Sequence, residues 1–368
     1  MKLHARTATA ISLIAALAGS LLFASCQASP IFAAIEKEVA LEKPSITGYV
    51  TSMVIQSDGT KFVTNGRVYQ KAGADGSWSE LDLPAHRCLD LAYDGTYVYG
   101  LMTQDDWVTP AGIYRYMGNS WVKVFGTDSM TRVFSGYNRV FAFTRTGDVA
   151  TGTYNAFSIS NQVTPTITQL ATDLALPTGS AVSGTASWFS TAAGIYGQTG
   201  TALGLGSITD DILALTASPG GILYAVTKSS LYQTTDNGGT WTQADHNGII
   251  GGSASLAWLP KGATDGVVLI GGAKRDGYSE ISVSDLTGTP TMSAVHDPGE
   301  GVSSVLADDK TQYQSAVGNK TLTSIFVDTV AGSVGGNEYV VYAGVANDRG
   351  YDGLWAYYPD TRSEWNRE

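Results

Sequence analysis

Short runs of alternating apolar and polar residues, separated by turns rich in glycine, aspartate and asparagine, recur from residue 48 onward. A period of two predicts β-strands with one buried face, and the turn residues predict hairpins between them. The second strand of each group is the clearest, as in Lys61-Phe62-Val63 and Arg139-Val140-Phe141. Asp58-Gly59-Thr60 and Asp94-Gly95-Thr96 are hairpin turns of a type that needs positive φ. The pattern therefore predicts an all-β chain.

Four of these groups share a turn, a short β run ending in an aromatic residue, a second turn and a tryptophan. They extend from Gly66 to Trp78, from Gly112 to Trp121, from Ser230 to Trp241 and from Gly353 to Trp365. An all-strand unit that recurs at about 40 residues predicts a β-propeller. We expect seven blades of four antiparallel strands, starting near residues 48, 88, 130, 180, 211, 254 and 321. Six or eight blades stay open, because residues 285–320 form either an insertion plus the outer strand of the sixth blade or a degenerate eighth blade.

The beginning of the chain resembles a bacterial lipoprotein signal. Residues 1–25 combine a basic start with a 16-residue apolar run, which is shorter than a membrane span, and small residues precede Cys26. The resemblance implies cleavage and lipidation of Cys26 by acyl chains such as palmitate, with residues 26–47 as a tether and 48–368 as the propeller domain. Gln27 after the cysteine favours the outer membrane by the same resemblance. An ordinary secretory peptide with an incidental cysteine is the alternative.

The net charge limits the classes of partner that the chain can bind, and the cysteine content predicts the role of Cys88. Without residues 1–25 the chain loses Lys2 and Arg6 and keeps 20 basic against 33 acidic residues, a net charge of −13. Such a chain repels nucleic acid and anionic lipid, so a nucleic-acid partner is excluded and membrane contact is expected through the lipid alone. Cys88, left alone if Cys26 is lipidated, is predicted to be a small core residue at the start of a strand.

One turn carries a sharper motif. The segment from Thr234 to Trp241 matches the Asp-box pattern S/T-x-D-x-G-x-S/T-W at every fixed position. Its sequence is Thr234-Thr235-Asp236-Asn237-Gly238-Gly239-Thr240-Trp241. The chain therefore resembles the Asp-box, or BNR-repeat, propellers. The predicted structural residues are Thr234, Asp236, Gly238, Thr240 and Trp241. The resemblance implies a fold and hardly any function.

A second repeat suggests a binding surface. Residues 271–278 match residues 344–351, and residues 100–107 have the same spacing from glycine to an aromatic ring. All three segments are predicted loops between second and third strands, which share one face of a propeller. The predicted ligand-binding residues are Trp107, Arg275, Asp276, Tyr278, Asp348, Arg349, Tyr351 and Asp352. Rings beside fixed charges suit a sugar or a peptide. The alternative is that each ring covers its own hairpin while the charges pair in solvent.

Catalytic and metal chemistry have little support. A sialidase resemblance requires an early Arg-Ile-Pro segment, which the chain lacks, and adjacent acids such as Asp210-Asp211 point to opposite sides of a strand. His86, His246 and His296 follow outer strands of different blades and are expected to be turn or surface residues. We expect no metal and no cofactor.

The sequence thus predicts an outer-membrane lipoprotein, periplasmic or surface-exposed, that binds a protein or a glycan without catalysis. Envelope assembly and attachment to a host or matrix molecule are both open, as is the oligomeric state. The alternatives are a glycoside hydrolase, which needs two carboxylates from different blades, and a purely structural envelope protein.

Overall fold

The computed structural model describes residues 45–73, 76–104, 109–126, 129–148, 151–245, 254–272, 277–296, 304–306, 317, 320–330, 334–346, 352–361 and 364–368. All regular secondary structure in these residues is β-strand, arranged in seven antiparallel sheets of consecutive strands. These residues include no apolar helix of the length that a membrane crossing requires. The predicted signal segment, Cys26 and the tether up to residue 44 lie outside the described residues.

The sheets follow one another along the chain. Blade 1 contains β1 (Ser52–Ile55), β2 (Lys61–Thr64), β3 (Val68–Lys71) and β4 (Ser79–Leu81). Blade 2 contains β5 (Cys88–Tyr93), β6 (Val98–Thr103), β7 (Pro110–Tyr116) and β8 (Trp121–Phe125). Blade 3 contains β9 (Met130–Gly136), β10 (Arg139–Thr146), β11 (Thr153–Ser160) and β12 (Ile167–Leu174). Blade 4 contains β13 (Pro177–Ser183), β14 (Ala186–Thr191) and β15 (Gly194–Gly197).

The remaining three sheets each have four strands. Blade 5 contains β16 (Ala214–Ala217), β17 (Leu223–Val226), β18 (Ser230–Thr234) and β19 (Thr242–Asp245). Blade 6 contains β20 (Ser255–Lys261), β21 (Asp265–Gly271), β22 (Tyr278–Ser284) and β23 (Thr291–His296). Blade 7 contains β24 (Thr321–Asp328), β25 (Val340–Ala346), β26 (Gly353–Tyr358) and β27 (Glu364–Arg367).

The first strands of successive blades contact one another, and β24 of the last blade contacts β1 of the first. The structure is therefore a closed seven-bladed β-propeller, which confirms the predicted fold class. The predicted hairpin glycines Gly59 and Gly95 have φ of 84° and 95°. The segment Thr291–His296 is the outer strand of blade 6, as predicted, and the described residues contain no eighth sheet.

Blade 4 differs from the others in its outer strand. After β15 the chain pairs through an isolated bridge between Tyr196 and Ala202 and through the Leu203 N–H, which donates to the Ile195 carbonyl at 2.8 Å. Gly200, with φ of 84°, makes the turn between these two segments. An irregular segment therefore takes the place of a fourth strand among the described residues.

Among the residues that the structure describes, seven apolar clusters stabilise the ring, one at each junction between neighbouring blades. The tryptophans of the repeated unit, Trp78, Trp121, Trp241 and Trp365, each pack at the junction with the preceding blade. Small sheets that bury both faces against their neighbours need no single large core. The tryptophan repeat seen in the sequence is thus the packing of each outer strand onto the blade before it.

The first and last blades are joined by backbone and by buried charges. The Ile46 N–H donates to the Glu368 carbonyl, and the Leu354 N–H donates to the Ile46 carbonyl, both at 3.2 Å. Lys61 of β2 lies 3.2 Å from Asp328 of β24, and both side chains are fully buried. Lys71 lies 2.7 Å from the Glu368 carboxylate. We call Lys61, Lys71, Asp328 and Glu368 the closure cluster.

Candidate functional site: the polar chamber of the axial channel

The seven innermost strands surround a channel with two chambers. One is a cavity of ≈ 610 Å³ at the ends of these strands, and its wall is mainly apolar, with Val54, Ile55, Val182, Trp258 and Val327 among its residues. The other, of ≈ 500 Å³, lies at the beginnings of the same strands and is lined by serine, threonine and an ion pair. The two chambers meet at four residues that line both: Met53, Ser135, Leu256 and Phe326. We call the second cavity the polar chamber.

The polar chamber opens on the face that the sequence assigned to ligand binding. Tyr49 and Leu176, which line it, lie just before the first strands of blades 1 and 4 and are half exposed. In blade 2 the start of the first strand pairs with the end of the second, since Cys88 lies opposite Met102. Loops between second and third strands therefore share this face with the chamber.

An ion pair between two blades is the main charged feature of the chamber wall. Asp90 of β5 accepts a hydrogen bond from Arg132 Nε of β9 at 3.1 Å. The Asp90 side chain is 10% exposed and that of Arg132 is 47% exposed. Burial raises the pKa of the Asp90 carboxyl above its ordinary value, although the Arg132 guanidinium and the Val133 N–H act to lower it. The guanidinium also lies 5.0 Å from the centre of the Phe134 ring.

Hydroxyl side chains of the chamber wall join neighbouring blades. Thr51 donates to the Leu89 carbonyl at 3.0 Å and Ser52 donates to the Leu91 carbonyl at 3.1 Å, both from blade 1 to blade 2. Thr323 of blade 7 donates to the Val50 carbonyl at 2.6 Å.

The same pattern occurs at two other junctions. Ser255 of blade 6 exchanges two hydrogen bonds with the backbone of Ile325, and Ser135 of blade 3 accepts one from the Tyr93 N–H. Side chains thus satisfy backbone groups at the inner edges of these strands, which would otherwise be costly to bury.

Most of the predicted ligand-binding residues lie outside the described residues: Trp107, Arg275, Asp276, Asp348, Arg349 and Tyr351. Tyr278 begins β22 and is 2% exposed, and its hydroxyl lies 3.0 Å from Ser304 Oγ. The carbonyl of Asp352 accepts a hydrogen bond from Arg367 Nη2 at 2.8 Å. The predicted surface as a whole therefore stays a prediction.

The turn that resembles an Asp-box forms a compact network of hydrogen bonds. Asp236 Oδ1 accepts from the Thr240 N–H at 2.8 Å, and Thr234 Oγ1 accepts from the Gly238 N–H at 2.9 Å. The bonds from Thr240 and Thr234 lower the pKa of Asp236 to about 2. Gly238 has φ of 89°, and Trp241 Nε1 donates to the carbonyl of Gly204 at 2.8 Å. These bonds hold a hairpin turn against a neighbouring blade; the family assignment of the motif stays a prediction.

Cysteine and histidine contribute no reactive cluster in the described part of the chain. Cys88 begins β5 as a buried free thiol, as predicted, and burial raises its pKa to about 12. His86 lies in the connection before β5, whereas His246 and the side chain of His296 are outside the described residues. No group of three or more potential metal ligands is present among the residues described.

Sequence reasoning missed Asp90 and Arg132. A pattern that points to them is present, because each is a charged residue at the third position of a first strand, in Cys88–Tyr93 and in Met130–Gly136. Charges at matching positions of two consecutive first strands indicate side chains that meet at the axis of a propeller.

The fold and the axial channel define a β-propeller protein, and solved structures share this fold. The chain is similar to the extracellular domain of the putative hybrid two component system BT3049 from B. thetaiotaomicron, with a TM-score of 0.55 at 12% identity, over 85% of this chain and 39% of that chain. It is also similar to the extracellular domain of the putative one component system BT4673 from B. thetaiotaomicron, with a TM-score of 0.52 at 11% identity, over 89% and 43% of the two chains. Likeness at this identity concerns the fold alone.

Residues 2–368 match the TP013X lipoprotein family, and the chain belongs to that family. Two similar proteins of Treponema pallidum (strain Nichols) are described as uncharacterized lipoproteins. One is 25% identical over 399 residues, covering 94% of this chain and 96% of the relative. The other is 27% identical over 400 residues, covering 98% and 97%. The chain is therefore an exported lipoprotein of the cell envelope with a propeller fold.

Proposed function

We propose that this lipoprotein is a non-catalytic binding module, anchored through lipidated Cys26, that holds a protein or glycan partner on the face of the polar chamber. The observation that carries the proposal is the chamber itself: an open cavity of ≈ 500 Å³ with a preformed ion pair and exposed rim residues. Concave sites of this size with a few fixed polar groups are typical of ligand binding. Anchoring in the outer membrane, with a periplasmic or a surface-exposed position, and the relation to Asp-box propellers belong to the same proposal.

A glycoside hydrolase is the alternative, and one observation favours it. Burial raises the pKa of Asp90, as expected of a general acid. Hydrolysis of a glycosidic bond, however, uses two carboxyl groups about 5 to 9.5 Å apart. Asp90 is the single acid among the described residues that line the polar chamber.

The proposal is tested by crosslinking in intact cells. A photoreactive amino acid replaces Tyr49 at the chamber rim in one variant and Val163 in a control. Val163 is 80% exposed and lies between β11 and β12, away from the residues that line the chamber. We expect adducts with a defined partner from position 49 and none from position 163. Equal labelling from both positions, or none from position 49, contradicts the proposed binding face.

A further inference from the structure

We propose that the polar chamber recognises carbohydrate and receives the terminal sugars of a glycan. This inference rests on the proposed binding function and names the ligand class of the same site.

The chamber has the surface that a sugar ring requires. Tyr49 and Phe326 line it and present aromatic surface, on which the C–H face of a sugar packs. Asp90 and Arg132 offer fixed acceptors and donors within the same cavity. Because these two charges neutralise each other, the chamber does not require a charged ligand.

The hydroxyl groups of the wall act mainly as acceptors. Thr51 and Thr323 donate their protons to carbonyls of the neighbouring blade, which leaves oxygen lone pairs for a ligand. A ligand in the chamber must therefore donate several hydrogen bonds from different directions. Sugar hydroxyls do so, since each hydroxyl is one donor and two acceptors.

Arg132 supplies the complementary donors. Its Nε–H is held by Asp90, and the guanidinium lies over Phe134, so that the planar group has a fixed orientation. The Nη1 and Nη2 atoms carry four further N–H groups. A fixed fork of donors suits the paired oxygens of adjacent sugar hydroxyls.

The same contacts disfavour an extended peptide. A peptide that adds to a sheet uses free backbone groups at a strand edge. In the polar chamber, Asp90, Ser135 and Ser255 accept from backbone N–H groups at the inner edges of the adjoining first strands. A ligand is left with side chains and rings, which is the usual mode of sugar recognition and not of strand addition.

The experiment uses the full-length lipoprotein in a detergent without a sugar head group, because such a head group competes for the site. The probes are maltohexaose, chitohexaose and a hyaluronan hexasaccharide, with a pool of random decapeptides as the competing class. Binding is measured by saturation-transfer NMR and by titration. We expect at least one oligosaccharide to bind.

Two variants locate the site, and a third is the control. Arg132→Gln should raise the dissociation constant at least tenfold, and Tyr49→Ala should raise it severalfold; Tyr49 is 56% exposed, so its loss leaves the fold intact. Arg67→Gln removes an arginine that pairs with Glu80 at 2.9 Å on the surface, outside the chamber, and should change nothing.

Failure of all three sugars to bind overturns the inference, as does binding to the decapeptides alone. Unchanged sugar binding in folded Arg132→Gln and in Tyr49→Ala also overturns it. The proposed function is tested separately, by the crosslinking at position 49. If position 49 still crosslinks a protein partner while no sugar binds, the proposed binding face stands and only the carbohydrate assignment is wrong.

Discussion

The fully buried pair Lys61 and Asp328 gives the sharpest test of how the ring closes. The Lys61 ammonium lies 3.2 Å from the Asp328 carboxylate and also donates to the carbonyls of Gly59 and Gly73. In Asp328→Asn the side chain keeps an oxygen for the Val330 N–H but loses the charge opposite Lys61. The variant therefore leaves a buried lysine without its counter-charge at the junction of the first and last blades.

The size of the effect follows from the two states open to Lys61. Breaking a buried pair on one side costs about 3–5 kcal/mol if the remaining charge persists. Lys61 can instead lose its proton and become neutral in the folded variant. Deprotonation of a lysine with the ordinary pKa of 10.5 costs about 4.8 kcal/mol at pH 7 and about 2 kcal/mol at pH 9. The destabilisation of Asp328→Asn should therefore be about 3–5 kcal/mol at pH 7 and at most about 2 kcal/mol at pH 9.

The sign of this dependence can be checked from linkage. Burial lowers the pKa of Lys61, while Asp328 acts to raise it. A base whose pKa is lower in the folded than in the unfolded state binds fewer protons when folded, so stability rises with pH up to the unfolded pKa. Removing Asp328 strengthens this behaviour.

The assay is equilibrium denaturant unfolding, followed by tryptophan fluorescence at pH 7 and pH 9. Glu80→Gln, which breaks the exposed pair with Arg67, serves as the control and should cost under about 1 kcal/mol at both pH values. The double variant Lys61→Met with Asp328→Asn removes both charges and keeps the oxygen for the Val330 N–H, so at pH 7 it should be destabilised less than Asp328→Asn alone. A loss for Asp328→Asn that is under about 1 kcal/mol, or equal at the two pH values, refutes the reasoning.

Three further predictions concern single sites. The Asp236 carboxyl should titrate near its pKa of about 2 when followed by NMR. Because this pKa is depressed in the folded state, the contribution of Asp236 to stability is lost as pH falls from about 4 towards 2. A titration midpoint near 4 contradicts the hydrogen-bonded turn. Cys88, with its pKa raised to about 12, should resist iodoacetamide at pH 8 in the folded protein and react after denaturation, and labelling of the native state contradicts its burial. Gly353→Ala, at φ of 130°, places a Cβ against the Ile46 carbonyl oxygen, whereas the Cβ of Gly95→Ala meets open space. Gly95→Ala should cost about 1–2 kcal/mol of backbone strain, and Gly353→Ala should destabilise the protein more. Equal losses in thermal unfolding contradict the close approach at Gly353.

Local features of the chain were predictable from the sequence because their causes are local. Alternation of apolar residues, the turn glycines Gly59 and Gly95, and the tryptophan that ends each repeated unit all act within a few residues of one another. They gave the strands, the blade starts and the burial of Cys88. The lipoprotein character was predictable from the residues around Cys26, and the family match agrees with it.

The sequence by itself determined a closed ring of small antiparallel sheets, whereas the tertiary structure alone decided which charged side chains meet. Asp90 and Arg132 belong to different blades, and Lys71 reaches Glu368 across 297 residues of sequence. Such pairs depend on the register of each first strand and on the closure of the ring, because these two features bring distant positions within 4 Å. A local sequence pattern encodes neither the register nor the closure. The physical reason is that alternation fixes which face of a strand is buried, but only the packing of neighbouring blades fixes what that face contacts.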